Sequence, residues 1–367
     1  MRAAICAVVA AITLAASPAF AQADRSAATF WKAVQADCDA TAAKPASKLG
    51  RRIAQTAIDE FYRFGGHEID SNGRLFRFGL TEAEHEEEDS APARQARLGH
   101  LGWWQVMKYW RALYGDEAAD KLEVRGYRDA STATKGEQAA PLLRTSAAQL
   151  LQDAEQVSDP AAREILREAA LRAAIIDTPW SAAFISYVVR KSGATAKQFK
   201  FSNAHRAYIY DAFATSAAEL NASNAGDRLY RACPLTTTKP RPGDMVCAQY
   251  ERTLADAGAR DVRERIRADL SGGNKPSVRR THCEVVAYID KPARKLYAIS
   301  GNVYQAVTVR KLNLRSNLKF SPAQQGHCGG PGSWTLPQPS PGTPRAASLT
   351  KKCSLNDENW FVLLQLR

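Results

Sequence analysis

Four short segments, in a set order and each at a predicted element boundary, constrain this chain more than its composition does. They are Thr178-Pro179-Trp180-Ser181-Ala182-Ala183-Phe184, Pro242-Gly243-Asp244-Met245-Val246, His282-Cys283-Glu284-Val285-Val286 and Ser300-Gly301-Asn302-Val303. The first reads as a helix start, with Thr178 as N-cap, Pro179 as first helical residue and Ser181 in the first turn. The second is a tight turn into a strand. The third opens a buried strand with a histidine, and the fourth puts an amide at a turn signal. Helices first and strands afterwards predict an α+β fold, with helices packed on an antiparallel sheet.

These residue types in this order suit nucleophilic chemistry. A serine in the first turn of a helix sits among unpaired backbone N–H groups at the positive end of the dipole, which stabilise a developing anion. Side chains alternate along a strand, so His282 and Glu284 share one face while Cys283 and Val285 share the other. An amide such as Asn302, within reach of an imidazole, can hold its orientation. Each residue also has a plain structural reading: a small polar residue near a cap, a hydrogen-bonded histidine and an ordinary turn. The conjunction is what points to a nucleophile, a base and an orienting group. His205 and Tyr208, three apart, share a helical face, with His205 either a second base candidate, a substrate ligand or a structural residue. Glu284 is placed to supply His282 with a negative charge. A metal site from His205, His282 and Glu284 matches no ligand spacing, and no cofactor motif is present.

The ends of the chain bound its compartment. Arg2, an apolar run from Ala3 to Ala16 and Ala19-Phe20-Ala21 form a signal-peptide pattern over residues 1–21, with cleavage after Ala21 and a periplasmic or secreted product. No later segment is apolar enough for a membrane span. The six remaining cysteines, Cys38, Cys233, Cys247, Cys283, Cys328 and Cys353, suit an oxidising compartment. Cys328 with Cys353 is the first pairing expected, and Cys247 with Cys283, on neighbouring strands, the second. The formal charge of +12 favours an anionic partner. Without a nucleic-acid signature, that partner is expected to be an anionic envelope polymer rather than DNA or RNA.

The rest of the chain divides as follows. Residues 22–47 form an N-terminal segment, 48–158 a helical part, 159–320 a core and 321–367 a Pro/Gly-rich C-terminal extension. A helix over Lys48 to Phe64 should stop at Gly65-Gly66. The acidic run Glu82 to Asp89 reads as solvated surface. Trp103, Trp104, Val106, Met107 and Trp110 form a stripe for core packing, with sugar stacking as the alternative. Asp159-Pro160 starts a helix whose apolar stripe is Ile165, Ala169, Ala173 and Ile176. Strands are expected over Met245 to Tyr250, Glu284 to Ile289, Leu296 to Ile299 and Ala306 to Leu312, with Trp360 to Leu366 returning as a last strand. The insertion from Glu251 to Arg280 is charged and partly helical, its basic end forming a lip before His282.

Trp180-Ser181-Ala182-Ala183-Phe184-Ile185-Ser186, Pro242-Gly243-Asp244-Met245-Val246, His282-x-x-Val285-Val286 and Gly301-Asn302-Val303 together resemble the motifs of papain-like amidase and peptidase domains of the CHAP and NlpC type. With Phe201-Ser202-Asn203-Ala204-His205-Arg206-Ala207-Tyr208-Ile209, Cys247 and Cys283, the chain also resembles an uncharacterised bacterial domain-of-unknown-function family related to that superfamily. The resemblance implies a papain-like core and cleavage of amide bonds in peptidoglycan. It places Ser181 where the superfamily has its nucleophilic cysteine, His282 at the base and Asn302 at the orienting position. Serine for cysteine is a chemical departure, because a hydroxyl must lose its proton during attack whereas a thiol ionises beforehand. A wall-binding domain that does not cut, and a serine acyl-hydrolase of another substrate, remain the alternatives.

Overall fold

The computed structural model describes residues 27–69, 75–77, 80–82, 101–127, 142–221, 225–250, 258–324, 336–343, 356 and 358–367. The signal-peptide pattern, His85, Cys328 and Cys353 lie outside the described residues. The fold is α+β, as expected. Helices α1 (Ala27–Ala42), α2 (Lys48–Arg63), α3 (Gly102–Tyr114), α4 (Ala147–Ala154), α5 (Pro160–Asp177), α6 (Ser181–Lys191), α7 (His205–Leu220) and α8 (Ala259–Ser271) accompany one large sheet and two hairpin-sized ones.

The large sheet is antiparallel throughout. Its strands are β5 (Tyr230–Cys233), β6 (Met245–Gln249), β7 (Thr281–Asp290), β8 (Lys295–Val303), β9 (Ala306–Asn313) and β10 (Trp360–Leu366), ordered β5-β10-β6-β7-β8-β9. The last strand therefore lies inside the sheet, between β5 and β6, and not in an appended tail. Its run Trp-Phe-Val-Leu-Leu-Gln-Leu is buried at every position, as a strand covered on both faces requires. The small sheets pair β1 (Glu68–Ile69) with β2 (Leu75–Arg77), and β3 (Glu123–Tyr127) with β4 (Leu142–Ser146).

Helices α2 and α6 pack on β7 and β8, and α3 packs on α6. Glu60 of α2 ties these three helices together from a fully buried position. Its carboxylate accepts from Gln105 Nε2 (2.6 Å) and Tyr109 Oη (2.9 Å) of α3, and from Tyr187 Oη (3.3 Å) and Lys191 Nζ (3.2 Å) of α6. Four donors offset the cost of removing a charge from water. The tryptophan stripe of α3 is core at Trp103 and Trp110, while Trp104 is exposed beneath the Arg111 guanidinium.

The Pro242-Gly243-Asp244 turn is a structural clamp. Gly243 has φ +94°, and a Cβ there would come 2.4 Å from the Cα of Gly50, so α2 approaches the turn backbone to backbone. The buried Asp244 carboxylate accepts from the backbone N–H of Arg241 (2.8 Å) and of Leu366 (2.8 Å), locking the chain end to the start of β6. Burial pushes its pKa up to about 7 against the pull of Arg241.

Two disulfides join described residues. Cys247 and Cys283 face each other directly across β6 and β7, the second pairing expected. Cys38–Cys233 ties α1 to the edge strand β5.

Three expectations are corrected. Thr178 caps the C-terminus of α5, not the N-terminus of α6; its hydroxyl is bonded to the backbone of Glu123, and α6 begins at Ser181 after Trp180. The buried residues of α5 are Ala174 and Ile175 in its last turn, while Ile165 and Ile176 are exposed. Glu82 is not solvated surface: it is buried, and its carboxylate accepts from Trp180 Nε1.

Candidate active site

Ser181 is the first residue of α6, and Phe184 N–H makes the first intrahelical bond, to Trp180 O. The N–H groups of Ser181, Ala182 and Ala183 thus have no intrahelical acceptor, and no side chain caps this helix end. Trp180 is fully buried, stacked on Phe64 and hydrogen-bonded to Glu82, so the residue before the serine is held rigidly. Burial raises the Glu82 carboxyl to about 7, with the indole hydrogen bond opposing.

The serine hydroxyl meets an imidazole, but that of His205. Ser181 Oγ lies 2.7 Å from His205 Nε2. Local bonds explain why these two helix starts converge. Ser186 Oγ of α6 donates to Ser202 O (2.8 Å) and accepts from Ser202 N–H (3.0 Å), fastening the loop that leads into α7. His205 is the first residue of α7 and is buried.

The other face of the imidazole determines its chemistry. The backbone N–H of Cys283 donates to His205 Nδ1 at 3.2 Å, and the Tyr208 hydroxyl also reaches Nδ1. An amide N–H is a donor alone, so Nδ1 carries a lone pair and the single proton of the neutral ring resides on Nε2. Burial holds the His205 pKa well below the ordinary value, with His282 adding in the same direction, so the ring is neutral at physiological pH. Nε2–H therefore donates to Ser181 Oγ. Burial likewise raises Tyr208 well above the usual phenol range, keeping its proton in place.

His282 stands beside this pair. Its ring centroid is 5.0 Å from that of His205, and its side chain is nearly buried. His282 Nε2 lies 3.6 Å from Glu284 Oε1, turning that nitrogen toward the carboxylate. Glu284 in turn accepts from Arg310 Nε of β9 (2.7 Å), and Arg310 also contacts Glu358 (3.1 Å). Opposing carboxylates raise the Arg310 pKa despite its burial.

Asn302 is brought near α6 but does not complete a triad. It has φ +55° within the register shift between Ser300 and Val303 of the β8–β9 pairing, and among the described residues no hydrogen bond joins its amide to either imidazole. Its neighbour Gly301 is pressed on the start of α6, where a Cβ would come 2.3 Å from Trp180 Cζ3 and 2.8 Å from Phe184 Cβ. Ser300 Oγ contacts the carbonyl of Cys283 instead (3.2 Å).

Sequence reasoning thus brought Ser181, His205, Tyr208, His282 and Glu284 to one region but set His282 against the serine, where the structure has His205. It missed Glu82, Arg310 and the Cys283 amide. An arginine inside the apolar strand Ala306–Asn313 is a signal for a buried carboxylate partner. Among the described residues no helix is long and apolar enough to cross a membrane, and no cluster of three or more metal-ligating side chains occurs.

The fold and site define an α+β domain with a helix-terminal serine bonded to a buried, neutral imidazole. The chain belongs to the family described as an uncharacterised protein conserved in bacteria, DUF2272, whose family model matches residues 99–366. No curated protein and no solved structure matches it.

Proposed function

We propose that this protein is an exported serine hydrolase of the cell envelope that cleaves amide bonds of peptidoglycan peptides on a papain-like scaffold. The reading rests on Ser181 Oγ at an uncapped helix start, with the His282 ring beside the His205 imidazole that meets the serine. In this reading His282 is the base. Nε2 turned toward Glu284 leaves Nδ1 for the serine proton, and Glu284 stabilises the imidazolium as an acidic third member does elsewhere.

Nδ1 of His282 takes the proton as Oγ attacks the amide carbonyl carbon. The oxyanion forms beside the free N–H groups of the first turn of α6. Collapse breaks the C–N bond, and the amine leaves with the proton from His282. Water, deprotonated by the same imidazole, then hydrolyses the ester and frees Ser181. The disulfides and the positive charge agree with an oxidising envelope and an anionic polymer.

The test is release of soluble fragments from purified peptidoglycan by the mature protein, beside Ser181→Ala and His282→Ala. Release abolished by both substitutions supports the reading, and fragment masses name the bond. One observation favours a second reading, a wall-binding domain: the serine accepts a hydrogen bond from His205 instead of giving it one. Binding to sacculi without release, unchanged in Ser181→Ala, would establish that alternative.

A further inference from the structure

Two histidines lie beside one serine, and the hydrogen bonds assign them different work. We infer that His205 is a fixed hydrogen-bond donor to Ser181 Oγ, locked as the Nε2–H tautomer by the Cys283 amide, and that it stabilises the serine oxygen as it becomes anionic. The assignment deepens the hydrolase reading and rests on it only for the rate effect.

To act as a base, His205 would have to bind the serine proton on Nε2 and carry its own on Nδ1. That places an N–H against the N–H of Cys283, at a separation of 3.2 Å between nitrogens. Cys283 cannot move away readily. Its side chain is bonded to Cys247 across the β6–β7 ladder, and its carbonyl is contacted by Ser300 Oγ. Protonating both nitrogens meets the same obstacle, in a buried site where a cation is poorly solvated. A neutral imidazole aimed at Ser181 Oγ instead strengthens its bond as that oxygen gives up its proton and gains negative charge, with no reorganisation. The Tyr208 hydroxyl, which also reaches Nδ1, can donate to it in this tautomer, and the Cys283 amide alone fixes the choice.

The charged and titratable groups facing His205 are consistent with this role. His282 comes from β7 and Tyr208 from α7. Glu284 is engaged by Arg310 and stands nearest His282. Among the described residues no carboxylate contacts His205 to hold an Nδ1 proton.

Two measurements test the inference. Side-chain 15N NMR of the wild-type protein between pH 5 and 8 should show His205 as a neutral Nε2–H tautomer throughout, with the Nε2 signal moving in Ser181→Ala. An Nδ1–H or doubly protonated ring overturns the assignment. The second is the rate of Ser181 labelling by a fluorophosphonate. His205→Gln, which keeps an N–H donor and cannot serve as a base, should retain labelling within about tenfold, whereas His205→Ala should lose on the order of 100-fold. Equal loss in both variants makes His205 the base and refutes the inference. Wild-type protein that shows the Nε2–H tautomer yet resists labelling and releases no wall fragments would refute the hydrolase reading while leaving the donor assignment standing.

Discussion

The backbone N–H of Cys283 donates to Nδ1 of His205, 78 positions earlier in the chain. Through this bond the β6–β7 ladder, stapled by Cys247–Cys283, reaches the helix start that meets Ser181. The site is therefore sensitive to the sheet behind it, and several outcomes are expected from that architecture.

Gly301→Ala should disturb the site from the sheet side. The added methyl would come 2.3 Å from Trp180 Cζ3 and 2.8 Å from Phe184 Cβ, so α6 or the end of β8 must shift. A loss of about 1–3 kcal/mol is expected in denaturant unfolding, together with weaker serine reactivity. Wild-type stability in the variant would show that β8 yields without strain.

Glu82 predicts a pH dependence of stability. Its carboxyl is raised from 4.5 to about 7. Folded protein thus keeps a proton that the unfolded chain releases between those values. The contribution is fully present below pH 4.5 and is lost as pH rises through about 7. Glu82→Gln, which preserves an acceptor for the Trp180 indole, should flatten this dependence and gain on wild type with rising pH, by on the order of 1–3 kcal/mol above pH 7. Parallel stability curves for the two proteins between pH 4 and 8 would contradict it.

The Arg310–Glu284 pair should behave as a buried ion pair. Arg310→Ala strands the Glu284 carboxylate and is expected to cost about 3–5 kcal/mol, while Arg310→Met with Glu284→Gln should cost less than the sum of the single changes. A double-mutant cycle with no coupling would remove Arg310 from the support of His282.

Removing the Cys38–Cys233 disulfide provides the contrasting case. It closes a separation of 195 residues between α1 and the edge strand β5, so Cys38→Ala with Cys233→Ala should lower stability by about 2–5 kcal/mol. The His205 tautomer should be unchanged by NMR. A tautomer that switched would mean that α1 and β5 support the site.

Much of this was legible in local sequence, for identifiable reasons. Helix periodicity with a glycine stop located α2, a helix-start signal located α6, and continuous apolar runs located β6 to β10 within a few residues. Side-chain alternation put His282 and Glu284 together, and helical spacing put His205 on the face of Tyr208. The short strands β3, β4 and β5 escaped because charged or polar residues interrupt them, leaving no continuous apolar run of the kind that marked β6.

By itself the sequence determined the α+β class, the strands β6 to β10 and the set of groups available for chemistry, because those follow from near-neighbour spacing. Tertiary structure alone decided which imidazole meets the serine, which nitrogen carries its proton and why Asn302 binds neither histidine. Those outcomes depend on where β7, β8 and two helix starts cross, and on one backbone amide at the crossing. A backbone N–H is common to every residue except proline, so no pattern of side chains could single out that of Cys283.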